Sequence, residues 1–460
     1  MNYCDSSSIT TLRSIRREIV GTNSKVLGTR CQRLGRGFNS LLPLQNLKMI
    51  KSVQYNCVEP LKKSGNPIII YALPQEAEAV ANACRDSGIV VTAFCDNEKR
   101  KSQKPFCGLE VIYTPDLPKK FPKARFLIAH QNLQDCAEQI SELGYNEFYS
   151  PLELLKNYDV SKYTHRVTQS FMAAKVDVSI KNHELFFDKS KTFLRSLDIV
   201  ITEKCSMNCE SCANLMQYYV AAKNTDNKIL EALKNLTDNV DEILEYRVIG
   251  GEPLINKKWV EIVNGILDQD QNRRVFIYTN GTIAPKDEQL ETFHGKNVNF
   301  YITDYGKLSR NIDKVIGSLD KHGISYSRKP ADNWVDCSRI RKHNRSVSRL
   351  KQVFKECCAK QLYTLLNGKL YTCPFISSAV NLKAIPNNKA DYVDLLSNDN
   401  NIKNKIRRLV KMENFFPGCD FCNGRPHDPA KALEYAGKGL IQAGKQMPKI
   451  SERLAYKEYK

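Results

Sequence analysis

The sequence predicts an α/β chain: an open parallel sheet, then a partial (βα)6 barrel, then a small cysteine-rich region. Three observations predict it. Short apolar runs alternate with helical stretches along most of residues 61–335, the pattern of repeated βα units. Glycines stop several of the predicted helices. The cysteines are unevenly used: of 16 in 460 residues, nine fall after residue 200 and most of those cluster.

Residues 1–60 read as a basic extension, irregular or partly helical. They carry Arg13, Arg16, Arg17, Arg30, Arg33 and Arg36 with few acids. No uninterrupted apolar core of signal-peptide length accompanies them, so secretion is not indicated; an organelle transit peptide is the alternative. The first α/β unit spans 61–155. Residues 67–71 form an apolar run bounded by turn residues, hence a buried strand. A helix over 74–87 stops at Gly88. Further strands fall at 89–94, 110–113, 125–129 and 147–149, with a helix over 133–143 stopped by Gly144. This unit resembles the small Rossmann-like domain of sugar-modifying acyltransferases and other surface-polysaccharide proteins. Asp96 ends the second strand, where a dinucleotide-binding fold puts its ribose carboxylate. The first turn, Tyr71-Ala72-Leu73-Pro74-Gln75-Glu76, has no glycine to admit a pyrophosphate. A structural or docking role is therefore favoured over nucleotide binding.

Residues 156–194 read as a connecting segment with helical character. The second α/β unit spans 195–335. Its strands are expected at 198–201, 247–249, 274–278 and 298–303, and its helices at 227–236, 258–268, 286–293 and 310–322. In such barrels the chemistry sits in loops at the carboxyl ends of strands. Directly after the first strand comes Cys205-x3-Cys209-x2-Cys212. Three thiolates on one loop can hold three irons of a [4Fe–4S] cube and leave the fourth open. A structural zinc site takes four closed ligands, so a triplet suits zinc poorly. After the next strands come Gly250-Gly251-Glu252-Pro253, Thr279-Asn280-Gly281 and Thr303-Asp304-Tyr305-Gly306. Two glycines let backbone come close to a ligand. Small polar side chains on the same barrel face suit ribose hydroxyls.

In this order the motifs resemble the radical S-adenosylmethionine (SAM) superfamily over about residues 195–330. The resemblance implies that Cys205, Cys209 and Cys212 hold a catalytic [4Fe–4S] cluster. It implies that Gly250, Gly251 and Glu252 meet the methionine part of SAM, and that Thr279, Asn280, Thr303 and Asp304 face its ribose. Ser211 stands where many members have an aromatic residue near the adenine. The implied chemistry is one-electron cleavage of SAM to methionine and a 5′-deoxyadenosyl radical, which takes hydrogen from an unreactive C–H bond. The protein then supplies orientation and excludes water.

Residues 336–430 hold Cys357, Cys358, Cys373, Cys419 and Cys422. Asn367-Gly368 between β-forming residues is a hairpin signal. Cys358-x9-Gly368-x4-Cys373, followed by Cys419-x2-Cys422, resembles the twitch/SPASM-like auxiliary-cluster extension, which implies a second [4Fe–4S] cluster. Zinc would also suit four cysteines. One of Cys357 and Cys358 is spare, and the sequence leaves open which. Cys337 reads as a lone buried thiol. Residues 431–460 read as a basic helical tail.

Net charge is +19. It is spread along the chain, with no nucleic-acid motif or basic stripe, so nucleic acid is not the expected partner. No stretch of 18 apolar residues indicates a membrane span. The whole arrangement resembles bacterial radical SAM proteins of capsule and lipopolysaccharide loci. That resemblance implies a cytoplasmic enzyme acting on a sugar or nucleotide-sugar, served by an electron donor such as flavodoxin or ferredoxin. The alternatives are a peptide-modifying radical SAM enzyme and a non-catalytic iron–sulfur carrier or scaffold. No catalytic acid or base is assigned; His130 and His427 read as structural, and Tyr305 and Trp334 as core before cavity lining.

Overall fold

Five short strands open the fold: β1 (Ile68–Tyr71), β2 (Ala93–Asp96), β3 (Val111–Tyr113), β4 (Arg125–Ile128) and β5 (Phe148–Tyr149). All pair in parallel, in the order β3-β2-β1-β4-β5. The sheet grows one way from β1 to β3, then switches to the other edge of β1. The computed structural model describes residues 52–225, 228–269, 273–411, 414–427, 431 and 439–454. The basic extension up to residue 51 lies outside them.

Helices Ala77–Asp86 and Leu133–Glu142 bury their apolar residues against this sheet, among them Val80, Cys84, Leu133 and Ile140. Both end as expected. Gly88 and Gly144 take φ of 71° and 96°, the left-handed turn that suits glycine. The first stop explains why β2 begins at Ala93 and not at residue 89. Ile89 donates its N–H back to the Cys84 carbonyl at 2.8 Å, closing the helix end, and Val90 is 81% exposed. The unit also begins earlier than expected. Gln54 pairs with Tyr149, and Val53 and Leu61 are buried in the core.

Helix Gln169–Phe187 carries the chain onward. The Thr168 hydroxyl accepts the Phe171 N–H at 3.4 Å and caps its start, a local signal that fixes a helix N-terminus. Met172 and Val176 belong to the first unit's core, while Phe171 meets Phe276 edge-on at 5.8 Å.

A minor parallel pair, β6 (Phe193–Leu194) and β8 (Glu242–Ile243), flanks the second sheet. That sheet contains β7 (Leu197–Val200), β9 (Tyr246–Ile249), β10 (Val275–Thr279), β11 (Val298–Asp304) and β12 (Ser325–Pro330), all parallel and in sequential order. β12 is absent from the sequence-based expectation; its outer half, Arg328–Pro330, is exposed and lacks an apolar run. Helices Ile229–Thr237, Trp259–Gln269 and Ile312–Lys321 cover one face, where Trp259, Val263, Ile277 and Phe300 form the core.

After β13 (Asn333–Val335) the cysteine-rich region returns to this same sheet. β14 (Tyr363–Leu366) lies parallel beside β7. The turn at Asn367 and Gly368, with φ of 49° and 74°, leads into antiparallel β15 (Lys369–Tyr371), as the sequence predicts. β16 (Tyr392–Asp394) completes the edge. The sixth parallel strand is thus beside the first, drawn from residues 336–430, rather than beyond β12. Residues 439–454 correct one expectation: they are not helical. β17 (Leu440–Gln442) pairs with β13 and an extended segment follows. Its backbone groups bond to a distant loop, Glu210 N–H to Lys445 and Met447 N–H to Asn208, which a helix would forbid.

Candidate functional site

The Cys205–Cys212 loop leaves the carboxyl end of β7. Two backbone bonds, from Gly251 N–H to the Thr202 carbonyl at 3.1 Å and from Glu252 N–H to the Lys204 carbonyl at 2.9 Å, fasten it to the loop after β9. Here the two glycines have a reason. A Cβ on Gly250 would fall 2.6 Å from the Thr202 carbonyl oxygen, and one on Gly251 would fall 2.6 Å from the Cys205 Cβ. The close approach is to the cysteine loop itself.

Glu252 is fully buried. Its carboxylate accepts the Leu254 N–H at 3.2 Å, the Thr279 hydroxyl at 3.0 Å and the Asn280 N–H at 2.8 Å. Burial pushes its pKa up to about 7, against these three donors. It ties the loop after β9 to the loop after β10. Asn280 in turn donates to Ser206 Oγ at 3.1 Å and lies 3.9 Å from Cys205 Sγ. Asp304 is held by Arg328 at 2.7 Å and by the Gly306 N–H at 2.8 Å. Among the four expected ribose contacts, only Thr303 has a hydroxyl without a hydrogen bond among the described residues.

Burial raises the pKa of Cys205, Cys209 and Cys212, and the charges of neighbouring thiols add to it. Cys209 reaches about 11 although Gln446 donates to its sulfur at 3.2 Å. Thiols so placed would ionise only beside a strong cationic partner, which is what an iron cluster provides. No three of His, Cys, Asp or Glu converge as a single-ion site requires among the described residues. The donor set, its burial and its place at a strand end fit a [4Fe–4S] cluster.

The tail forms a strap over this loop. Gln446 Oε1 accepts the Asn208 N–H at 2.8 Å, Asn208 Nδ2 donates to the Met447 carbonyl at 2.7 Å, and Lys445 pairs with Glu210 at 2.9 Å. Ser211 is buried with φ of 62° and donates to Asp336 at 2.7 Å, so its side chain anchors the loop. Tyr305 lies within electrostatic reach of all three thiols and meets Trp334 edge-on at 6.0 Å. It therefore faces the site instead of merely filling the core. Nothing local in the sequence points to Gln446 or Asp336, since both act across more than a hundred residues.

The second cysteine group gathers around Cys357. Cys373, Cys419 and Cys422 each lie within electrostatic reach of Cys357. The Cys358 thiol senses Arg425, Cys337 and Glu98, and its charge acts in turn on Cys357. Cys337 is buried but not alone: its carbonyl lies 3.6 Å from Cys422 Sγ, and its thiol influences Cys212, Cys358 and Cys422.

A cavity of about 700 Å³ opens between the other face of the second sheet and the first unit. Tyr278, Tyr301 and Ser327 stand in register across β10, β11 and β12, with the tyrosine rings stacked at 4.8 Å. Leu73, Glu76, Lys101 and His130 line the opposite wall. Arg247 pairs with Glu245 at 2.6 Å, and buried Lys175 pairs with the same carboxylate. Burial pulls His130 down to about 3, so it is neutral. Asp96 is not free: its carboxylate holds the Leu73 N–H and Lys101, each at 2.9 Å.

Residues 199–318 match the family model of the Radical SAM superfamily. The chain is 26% identical over 162 residues to GTP 3′,8-cyclase of Syntrophomonas wolfei, covering 30% of this chain. It spans about half, 48%, of that curated relative's length. Among solved structures, it is similar to polyhistidine-tagged anSMEcpe with bound AdoMet (11% identity, 53% of this chain, 97% of that chain, TM-score 0.34). It is also similar to BtrN in complex with AdoMet and 2-DOIA (15% identity, 57% of this chain, all of that chain, TM-score 0.32).

Proposed function

We propose that the chain, whose residues 199–318 carry a Radical SAM domain, is a radical SAM enzyme acting on a small molecule with the aid of two [4Fe–4S] clusters. The gathering of three thiols, one buried and two partly buried, on the loop after β7, braced by the loops of Gly250–Glu252 and Thr279–Gly281, carries the reading. When bound, the reduced cluster and SAM supply a 5′-deoxyadenosyl radical that abstracts hydrogen from the substrate. The chain's own part is positional. Cys205, Cys209 and Cys212 hold the catalytic cluster. Gly250 and Gly251 keep their loop close enough to present backbone groups to the methionine part of SAM, and Glu252 fixes the geometry from behind. Thr303 offers its hydroxyl to the ribose; Thr279 and Asn280 hold the wall on which it rests.

Cys357, Cys373, Cys419 and Cys422 hold the second cluster in this reading, and Cys358 is the spare thiol. Their mutual electrostatic contact supports that choice. The region 336–430 then acts as the twitch-like extension, 195–335 as the partial-barrel core and 61–155 as the Rossmann-like unit. The cavity lined by Tyr278, Tyr301 and Ser327 is the substrate chamber. Along β11 it begins two residues before Thr303, about 6.6 Å away. Its basic lining, Lys104 and Lys329 among it, suits a phosphorylated compound such as a nucleotide-sugar. An electron donor of the flavodoxin or ferredoxin kind and a cytoplasmic setting complete the proposal.

Anaerobic reconstitution followed by iron counting tests it. About eight irons per chain are expected, falling to about four in a Cys205/Cys209/Cys212→Ala variant and also in a Cys357/Cys373/Cys419/Cys422→Ala variant. Cys358→Ala keeps all eight. Dithionite and SAM yield 5′-deoxyadenosine from the wild type and none from the first variant. Zinc in place of iron overturns the proposal.

A further inference from the structure

A second cavity, of about 850 Å³, opens beside the loop after β4 and the start of helix Leu133–Glu142. Seven cationic and three acidic side chains line this one. Lysines on a surface would not make a site, but Arg195 differs from them. Its guanidinium is half-buried and bonds only to neutral amides, Asn132 Oδ1 and Gln361 Oε1, the latter at 2.7 Å. Among the described residues it has no carboxylate partner; the neighbouring acid Asp135 is taken by Lys360 at 3.1 Å. A guanidinium has five N–H donors, and these bonds leave the others for a ligand.

Two further observations converge on the same space. Helix Leu133–Glu142 begins here, and its N-cap residue Asn132 makes no side-chain cap bond because its oxygen serves Arg195. The first turn of the helix, Leu133 to Asp135, lines the cavity without a side-chain cap, and a helix start attracts an anion. Asn182, 1% exposed, donates to the Gln131 carbonyl at 2.9 Å, yet its Oδ1 has no partner. A buried acceptor left open in a cationic cavity calls for a donor from outside the chain.

We propose that this cavity is a binding site for a phosphorylated small molecule, with Arg195 and the start of helix Leu133–Glu142 taking the phosphate and Asn182 accepting a hydroxyl or amine of the same ligand. The site is separate from the substrate chamber and from both cysteine groups. It would serve as a regulatory or anchoring site for a nucleotide or sugar phosphate.

Calorimetric titration of the full chain, before iron loading, tests it with inorganic phosphate, pyrophosphate, UMP and glucose 1-phosphate as separate probes. At least one binds with saturation. UMP or glucose 1-phosphate binding more tightly than pyrophosphate assigns an organic phosphate; the reverse assigns a free inorganic anion. Arg195→Gln weakens binding tenfold or more. Gln361→Glu weakens it as much by giving Arg195 a carboxylate partner, while the melting temperature without ligand stays level or rises. Unaltered SAM-dependent iron spectra in the reconstituted Gln361→Glu variant separate this site from the radical SAM reading. Absence of saturable binding by all four probes overturns the proposal, as does wild-type affinity in Gln361→Glu.

Discussion

Glu252 and Gly251 show how much of the site a single side chain can decide. The sequence marks both as ligand contacts, yet their first duty is to the chain: the glycine clears room for the cysteine loop and the carboxylate gathers three donors behind it. Gly251→Ala would push a methyl group into the Cys205 side chain. We expect that variant to stay folded but to lose the first cluster, with iron falling from about eight to about four per chain by colorimetric assay. Glu245 offers a different test. Burial alone would raise its pKa, but Lys175 and Arg247 hold it down at about 2. A carboxylate depressed on folding lends stability above its unfolded pKa of 4.5, and that stability is lost as pH falls from there toward the folded value. Glu245→Gln leaves Lys175 and Arg247, both mostly buried, without their shared partner, Arg247 keeping only Asp198 at 3.9 Å, and should cost about 3 kcal/mol near neutral pH. The gap to wild type should shrink as pH falls below the unfolded pKa, read by denaturant melts at a series of pH values. The cysteine triplet is legible in the sequence because its members are local. Gln446 is not, because its contact with Cys209 spans 237 residues and its neighbourhood has no periodicity.

At the scale of elements, strands with buried apolar runs are readable almost to the residue, as at β1, β4 and β11. β2 starts late because the apolar residues 89–91 form the helix exit instead of entering the sheet. β12 escapes notice because half of it is exposed and polar. The tail misleads for a related reason. Its lysines suggest a solvated helix, but its backbone bonds are spent on the loop of Cys209. That strap brings an amide donor to the Cys209 sulfur, which the proposal assigns to the first cluster. Donors of this kind orient ligands and hold metal centres, and their loss typically costs tenfold or more in metal affinity. Gln446→Leu should therefore release iron to a chelator about tenfold faster, while the four irons of the second site leave at the wild-type rate.

Across the whole molecule, the two sheets share one helix. Gln169–Phe187 places Met172 and Val176 in the first core and Phe171 against the second sheet. Ion pairs also join them, Arg100 to Asp332 at 2.5 Å and Lys355 to Glu142 at 2.7 Å. Residues 50–460 accordingly make one compact unit. Scanning calorimetry of the iron-free chain should show its two sheets melting in one transition; Phe171→Ala, which costs about 3–5 kcal/mol at a buried aromatic, should lower that single peak without splitting it. The sequence divides the chain at glycines and composition shifts, which mark where elements end. It does not reveal which residues face a neighbour far along the chain, and so the sharing of this helix is invisible in it.

The adjacency of β7 and β14 has a consequence for spacing. One cysteine group hangs from the carboxyl end of β7; the other brackets the opposite end of β14, before its first residue and after the returning hairpin. Two hydrogen-bonded strands of four residues thus act as a ruler between them. Its length comes in increments of about 3.3 Å per residue. The strands' share of the gap between the two cysteine groups is therefore set by strand length and changes only in whole-residue steps taken in both strands at once, while the loops that carry the cysteines add the remainder.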